Sequence, residues 1–343
     1  MSDTSTAIRA TEDKPDFALG SVNLASPRLG ANIVEVSDDF FGAADRMLND
    51  APPIFFPDRY DEHGKWMDGW ESRRRRQGGH DHCIVQLGAK GVLAGFELNT
   101  RFFTGNHPPF ASIEGALVDG LPDENTVWTE IVAQSDLAPD SQNLFATEDD
   151  RPYNVLRLNI FPDGGIARFR VWGTPVCEWK RQDPAGHHEL SAVINAGRVI
   201  GYSDAHYGDP WIILTPGRGQ NMGDGWETRR RRGPGNDWIV IALGAPGHAR
   251  KIHIDTAHFK GNYPDRCSIQ AAYMEDMADG DIVAASEGWP ELMGEQKLQM
   301  DHIHEFEGPA INEIGPITHI RLNIFPDGGV SRVRIFGPLA QED

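Results

Sequence analysis

A nine-residue block that occurs twice constrains this chain more than any other feature. Asp68-Gly69-Trp70-Glu71-Ser72-Arg73-Arg74-Arg75-Arg76 returns as Asp224-Gly225-Trp226-Glu227-Thr228-Arg229-Arg230-Arg231-Arg232, an offset of 156 residues with a single Ser/Thr exchange. Leu87-Gly88-Ala89, Phe103-x-Gly105-Asn106-x-Pro108 and Ser112-Ile113 return at that same offset. Arg157-Leu158-Asn159-Ile160-Phe161-Pro162-Asp163-Gly164-Gly165 returns unchanged at Arg321–Gly329, eight residues later than that spacing requires, and Ser37-Asp38 pairs with Ser203-Asp204. The second copy therefore carries eight extra residues in one loop, and the first carries ten extra near Pro52 to Gly64. Two collinear copies of about 150 residues make a duplicated domain, too few units for a solenoid. The boundaries expected are a flexible leader over 1–16, a first repeat over 17–177, a polar linker over 178–188 and a second repeat over 189–343.

Within a copy, short alternating apolar runs dominate, and 37 Gly and 23 Pro supply turns. Ile239, Ile241 and Leu243 read as a buried strand, and Ile252 and Ile254 as the next. Leu156, Leu158 and Ile160, then Pro162-Asp163-Gly164-Gly165, then Ala167, Phe169 and Val171 read as a hairpin, with Arg157, Asn159, Arg168 and Arg170 on one polar face. Its twin holds Arg321, Asn323, Arg332 and Arg334. Helical periodicity is weak, with candidates at Phe40–Leu48 and Pro290–Gln299. The fold class expected is all-β, two tandem jelly-roll β-sandwiches.

A formal net charge of −19 argues against nucleic acid or an anionic membrane as partner, since both need basic surface. No run approaches the roughly 20 apolar residues of a membrane helix. Three widely spaced cysteines fit neither a disulfide framework nor a zinc site, so a reducing, cytoplasmic setting is expected. The paired histidines (His80/His82, His187/His188, His302/His304) have no recognised zinc spacing. An anionic substrate then needs locally gathered arginines, whose planar fork fits a carboxylate. In an extended chain Arg73 and Arg75 face one way and Arg74 and Arg76 the other, so one pair is free to make salt bridges and the other to reach a pocket. A third group ends a strand and enters a Gly-containing loop: Asp255-Thr256-Ala257-His258-Phe259-Lys260-Gly261-Asn262-Tyr263-Pro264. There His258 offers proton transfer, Asp255 an orienting carboxylate, and Asn262 hydrogen bonds of both senses. The first copy has Asn99 and Phe102 in place of Asp255 and His258.

Taken in order, these blocks resemble the allantoicase family from about Val22 to Pro338. The likeness includes Asn23-Leu24-Ala25-Ser26, Leu29-Gly30 and Ser37-Asp38-Asp39-Phe40-Phe41 as well as the duplicated motifs. The resemblance implies jelly-roll domains similar to galactose-binding modules, homo-oligomeric assembly, and hydrolysis of allantoate to ureidoglycolate and urea. On that chemistry Glu227, Asp255 and His258 are expected to share the acid/base work. Arg229 and Arg231 are expected to hold the carboxylate, with Asn262 on a ureido group. In the first copy Glu71, Arg73, Arg75 and Asn106 either hold the fold or complete the same pocket. The departures at Asn99 and Phe102 leave open whether both copies hold a working site. No spacing demands a cofactor, although Asp, Glu and His offer ligands for a divalent metal such as manganese. Two other readings share these features: an enzyme acting on ureidoglycolate, and a non-catalytic tandem carbohydrate-binding module.

Overall fold

The computed structural model describes residues 6–18 and 20–340. The chain divides into two compact units, Met1–Val176 and Cys177–Asp343. The organising element of the first unit is one long strand, Asp81–Asn99. Its beginning, 81–86, pairs with Pro152–Phe161 and Asn32–Val36. Its end, 91–99, pairs with Arg168–Pro175 and Gln142–Ala146. One strand thus serves two sheets. Phe110–Ala116 and Thr129–Asp136 extend the first sheet to five strands, and Val22–Asn23 extends the second to four.

The second unit repeats this topology with the long strand broken in two. Asp237–Gly247 lies in a five-stranded sheet and Lys251–Asp255 in a four-stranded one. Alternate residues point inward, as the pleat dictates. Cys83, Val85, Leu156, Leu158 and Ile160 are buried from one sheet of the first unit, and Phe96, Leu98, Phe169 and Val171 from the other. Each unit is a β-sandwich.

Several sequence expectations change here. The two strands expected to form a hairpin do not pair. Pro152–Phe161 has both edges occupied, by 81–86 and by Phe110–Ala116. The Pro-Asp-Gly-Gly turn, entered through a cis Phe161-Pro162 bond, instead carries the chain into the opposite sheet. The second copy does the same through Phe325-Pro326. Arg157 and Asn159 therefore share no face with Arg168 and Arg170. Arg157 pairs with Glu114, while Arg168, fully buried, pairs with Asp68. Phe40–Leu48 narrows to a 3-10 turn, Ala44–Leu48. Pro290–Gln299 is largely a strand, Glu291–Lys297, in which Leu292 and Met293 are buried at a sheet edge. The one α-helix among the described residues, Asp279–Ala285, falls in the loop lengthened in the second copy. Of the expected leader, residues 1–5 lie outside the described residues. Beyond them Ile8–Arg9 pairs with Ile54–Phe55, and Glu12 receives Arg170. No described helix is long and apolar enough to cross a membrane.

Candidate functional site

The three duplicated motifs meet at one place in each unit. Trp70–Glu71 forms a two-residue strand against Gly165–Ile166, which sets Glu71 opposite the Pro-Asp-Gly-Gly turn. The Gly-Asn-x-Pro loop is tied to the same turn by the Gly165 N–H, which donates to the Asn106 carbonyl at 2.8 Å. Ser72 Oγ accepts from the Gly164 N–H at 3.2 Å. Trp226–Glu227, Gly329–Val330, Asn262 and Thr228 repeat each contact. Two glycines have no alternative here. Gly164 has φ +148° and sits where a Cβ would lie 2.5 Å from the Pro108 nitrogen, and a Cβ on Gly165 would lie 2.1 Å from the Phe103 ring.

The convergence encloses a cavity of about 310 Å³ in the first unit and about 510 Å³ in the second. Glu71, Arg74, Asn106 and Asp163 line the first; Glu227, Arg230, Asn262 and Asp327 line the second at equivalent positions. Asn106 Nδ2 donates to Glu71 Oε1 at 2.7 Å, and Asn262 Nδ2 donates to Glu227 Oε1 in the same way. Burial raises the Glu71 carboxyl above the ordinary glutamate range, against the opposing pull of that hydrogen bond. Asp163 and Asp327 each accept a backbone N–H, from Arg75 and Arg231, at 2.7 Å. Phe41 lines only the first cavity and Arg231 only the second. His107 in the first stands where Tyr263 stands in the second.

The arginines divide by parity into a set bound to aspartates and a set that is not, and of the unbound set Arg74 and Arg230 line the cavities, whereas Arg76 and Arg232 do not. Arg73 is bound to Asp38 at 2.5 Å and lies over the Phe40 ring; Arg75 is bound to Asp81 at 2.5 Å. Arg229 contacts Asp204 and His206, and Arg231, though at the cavity wall, spends its guanidinium on Asp237. Arg74 and Arg230 have no ion-pair or hydrogen-bond partner among the described residues. The carboxylates that occupy the odd arginines sit at matched places in both copies, so their alignment was the signal available in the sequence.

Asp255 and His258 line neither cavity. Asp255 is buried; its Oδ1 accepts the Ala257 N–H at 2.8 Å and its Oδ2 receives Arg218 at 3.3 Å. His258 has φ +68°, donates its N–H to Asp301 and places Nε2 2.7 Å from the Gly219 carbonyl. The first copy builds the same turn from other residues. Asn99 accepts the Arg101 N–H, and Phe102, at φ +70°, donates to Asp140. The two departures between the copies thus change a shared turn and leave the cavities alone. The structure brings Glu227 to Asn262 and Glu71 to Asn106, and brings neither to Asp255 or His258.

Among the described residues no three His, Cys, Asp or Glu side chains converge as metal ligands. His304 has both ring nitrogens engaged, by the Ile254 carbonyl and the Gln299 N–H. Cys83 and Cys267 are buried and free; burial pushes both thiols up, Cys267 to about 12.

The Allantoicase repeat matches residues 22–176 and 188–340. A protein described as probable allantoicase 1 from Burkholderia mallei is 54% identical over 326 residues, covering 95% of this chain and 96% of its own. A probable allantoicase from Pseudomonas paraeruginosa is 52% identical over 317 residues, covering 92% and 95%. The crystal structure of allantoicase from Saccharomyces cerevisiae superposes with a TM-score of 0.76 at 34% identity, covering 92% of this chain and 93% of that one. With its motifs duplicated and both repeats matched, the chain belongs to the allantoicase family.

Proposed function

We propose that this chain hydrolyses allantoate to ureidoglycolate and urea, as a step in purine breakdown, and that each repeat holds a working site. The observation that carries the reading is an uncommitted guanidinium and a glutamate carboxyl lining one cavity, which is built twice from the same three motifs. Allantoate has one carboxylate and two ureido groups on a single carbon. In a protein of net charge −19 its carboxylate needs a local cation, and Arg74 and Arg230 are free to supply the bidentate fork. Asn106 and Asn262 spend their Nδ2 on the glutamate, which leaves Oδ1 to accept a ureido N–H. Departure of urea requires a proton on the leaving nitrogen. Glu71 and Glu227 are placed to give it, and the raised affinity of Glu71 for its proton suits a donor. Arg73, Arg75, Arg229 and Arg231 hold the motif in shape. Asp255 and His258 hold the neighbouring turn.

No step is routed through a metal, and turnover is expected to survive exhaustive chelation. Urea release from allantoate and from ureidoglycolate, measured side by side on purified protein, tests the assignment. Release from allantoate is the expected result; a carbohydrate-binding module releases none from either. A homo-oligomer and a cytoplasmic location belong to the same proposal, and light scattering after size exclusion and cell fractionation test them.

A further inference from the structure

Proton donation accounts for only half of a hydrolysis. Something must also take a proton from the attacking water, and each cavity holds a carboxylate besides its glutamate at a matched position, Asp163 or Asp327; Asp265, which also lines the second, is bound to Arg266 and Lys297. We infer that Asp163 and Asp327, the acidic residues of the two Pro-Asp-Gly-Gly turns, are the bases that activate water in their respective cavities. The inference rests on the reading of these cavities as allantoate sites.

Three observations carry it. Each aspartate lines its cavity together with the glutamate, the asparagine and the free arginine. Each is held by one oxygen only: Oδ2 accepts the backbone N–H of Arg75 or Arg231 at 2.7 Å, and no other hydrogen bond engages either carboxylate among the described residues. Finally, the neighbouring charges do not neutralise each other. The guanidiniums of Arg75 and Arg231 turn away to Asp81 and Asp237, and Arg74 and Arg230 form no ion pair with the aspartates although they line the same wall. An anion and a cation that share a pocket without closing on each other leave room for a ligand between them. Both cavities preserve this arrangement although His107 and Pro109 of one become Tyr263 and Asp265 of the other.

In the first cavity, water gives a proton to Asp163 Oδ1, and its oxygen bonds to the central carbon of allantoate. The bond from that carbon to one ureido nitrogen breaks, its electron pair stays on nitrogen, and the nitrogen takes a proton from Glu71. Ureidoglycolate and urea leave, and the proton on Asp163 returns to Glu71 through solvent. Asp327 and Glu227 do the same in the second cavity.

A structural anchor and a base respond differently to asparagine, because an amide oxygen still accepts the backbone N–H but takes no proton from water. In full-length Asp163→Asn/Asp327→Asn, kcat for urea release from allantoate is expected to fall by about 10²–10⁴-fold. KM should stay within about 3-fold, and the melting temperature should match wild type. A kcat within about 3-fold of wild type, in a run where Glu71→Gln/Glu227→Gln is inactive, overturns the aspartates as bases and leaves the site standing. Retained turnover in the glutamine pair overturns the site itself. If the asparagine pair melts early, Asp163→Glu/Asp327→Glu decides: it restores a carboxylate and should turn over at least 10-fold faster than the asparagine pair, and equal rates overturn the proposal.

Discussion

Arg73 and Arg74 are chain neighbours with opposite duties, and the difference comes from what each meets. Arg73 meets Asp38 and is neutralised, while Arg74 meets the cavity and stays available. Losing a charge-assisted hydrogen bond costs about 1.5–3 kcal/mol. Arg74→Gln/Arg230→Gln should accordingly raise KM for allantoate by about 10- to 100-fold with a smaller change in kcat. Arg73→Gln/Arg229→Gln should leave KM near wild type. Steady-state kinetics on the two pairs checks this. Glu71 shows the stability cost of function. Its carboxyl binds a proton more tightly in the folded chain than in the unfolded one. The stability it contributes is therefore fully present below the ordinary glutamate range and is lost as pH rises through the elevated folded value. Glu71→Gln cannot ionise, so it should melt above wild type at pH 8, with the gap closing toward pH 4 in thermal scans. At this scale the sequence was half legible. Strand parity correctly divides the arginines into two sets, but parity has no sign, and only the positions of Asp38, Asp81, Asp204 and Asp237 decide which set is spent.

The Pro-Asp-Gly-Gly turn links fold and chemistry at the level of elements. It carries the chain from one sheet to the other, pairs with the short strand bearing Glu71, and presents Asp163 to the cavity. Gly165→Ala would drive a methyl into the Phe103 ring, and overpacking of this kind costs about 1–3 kcal/mol. Denaturant unfolding should show that loss, with turnover falling alongside. The buried pair beneath the second turn is more sensitive still. Arg332 and Asp224 are both almost fully buried at 3.1 Å. Asp224→Ala leaves the guanidinium without its counter-ion, which should cost about 3–5 kcal/mol in the same measurement. Alternation located these strands well but could not say which neighbours they pair with. A turn of four residues between two amphipathic runs fits a hairpin locally, and only the filled edges of Pro152–Phe161 force a crossover. The same blindness to tertiary context made a helix candidate of Pro290–Gln299, where Leu292 and Met293 pack as a strand instead.

For the molecule as a whole, duplication is the main fact. It is legible in the order of the amino acids alone, because a repeated motif stands out whatever it folds into. Asn99 and Phe102, the departures that set the first copy apart, belong to a turn that both copies build. Asp255→Asn/His258→Phe, which gives the second copy the first copy's residues, should therefore keep allantoate turnover within about 3-fold of wild type, the loss expected of sites outside the chemistry. What does differ is the wall of each cavity. Phe41 and His107 line one; Arg231, Tyr263 and Asp265 line the other, which is also the larger. The two sites should then contribute unequally while sharing one mechanism. The most direct test measures urea release from allantoate by Glu71→Gln, Glu227→Gln and the double variant, each with a wild-type melting profile confirmed at pH 5. Each single variant should retain a measurable part of the wild-type rate, and the double should lose it by about 10²–10⁴-fold. A double variant that still releases urea at the wild-type rate would contradict the account.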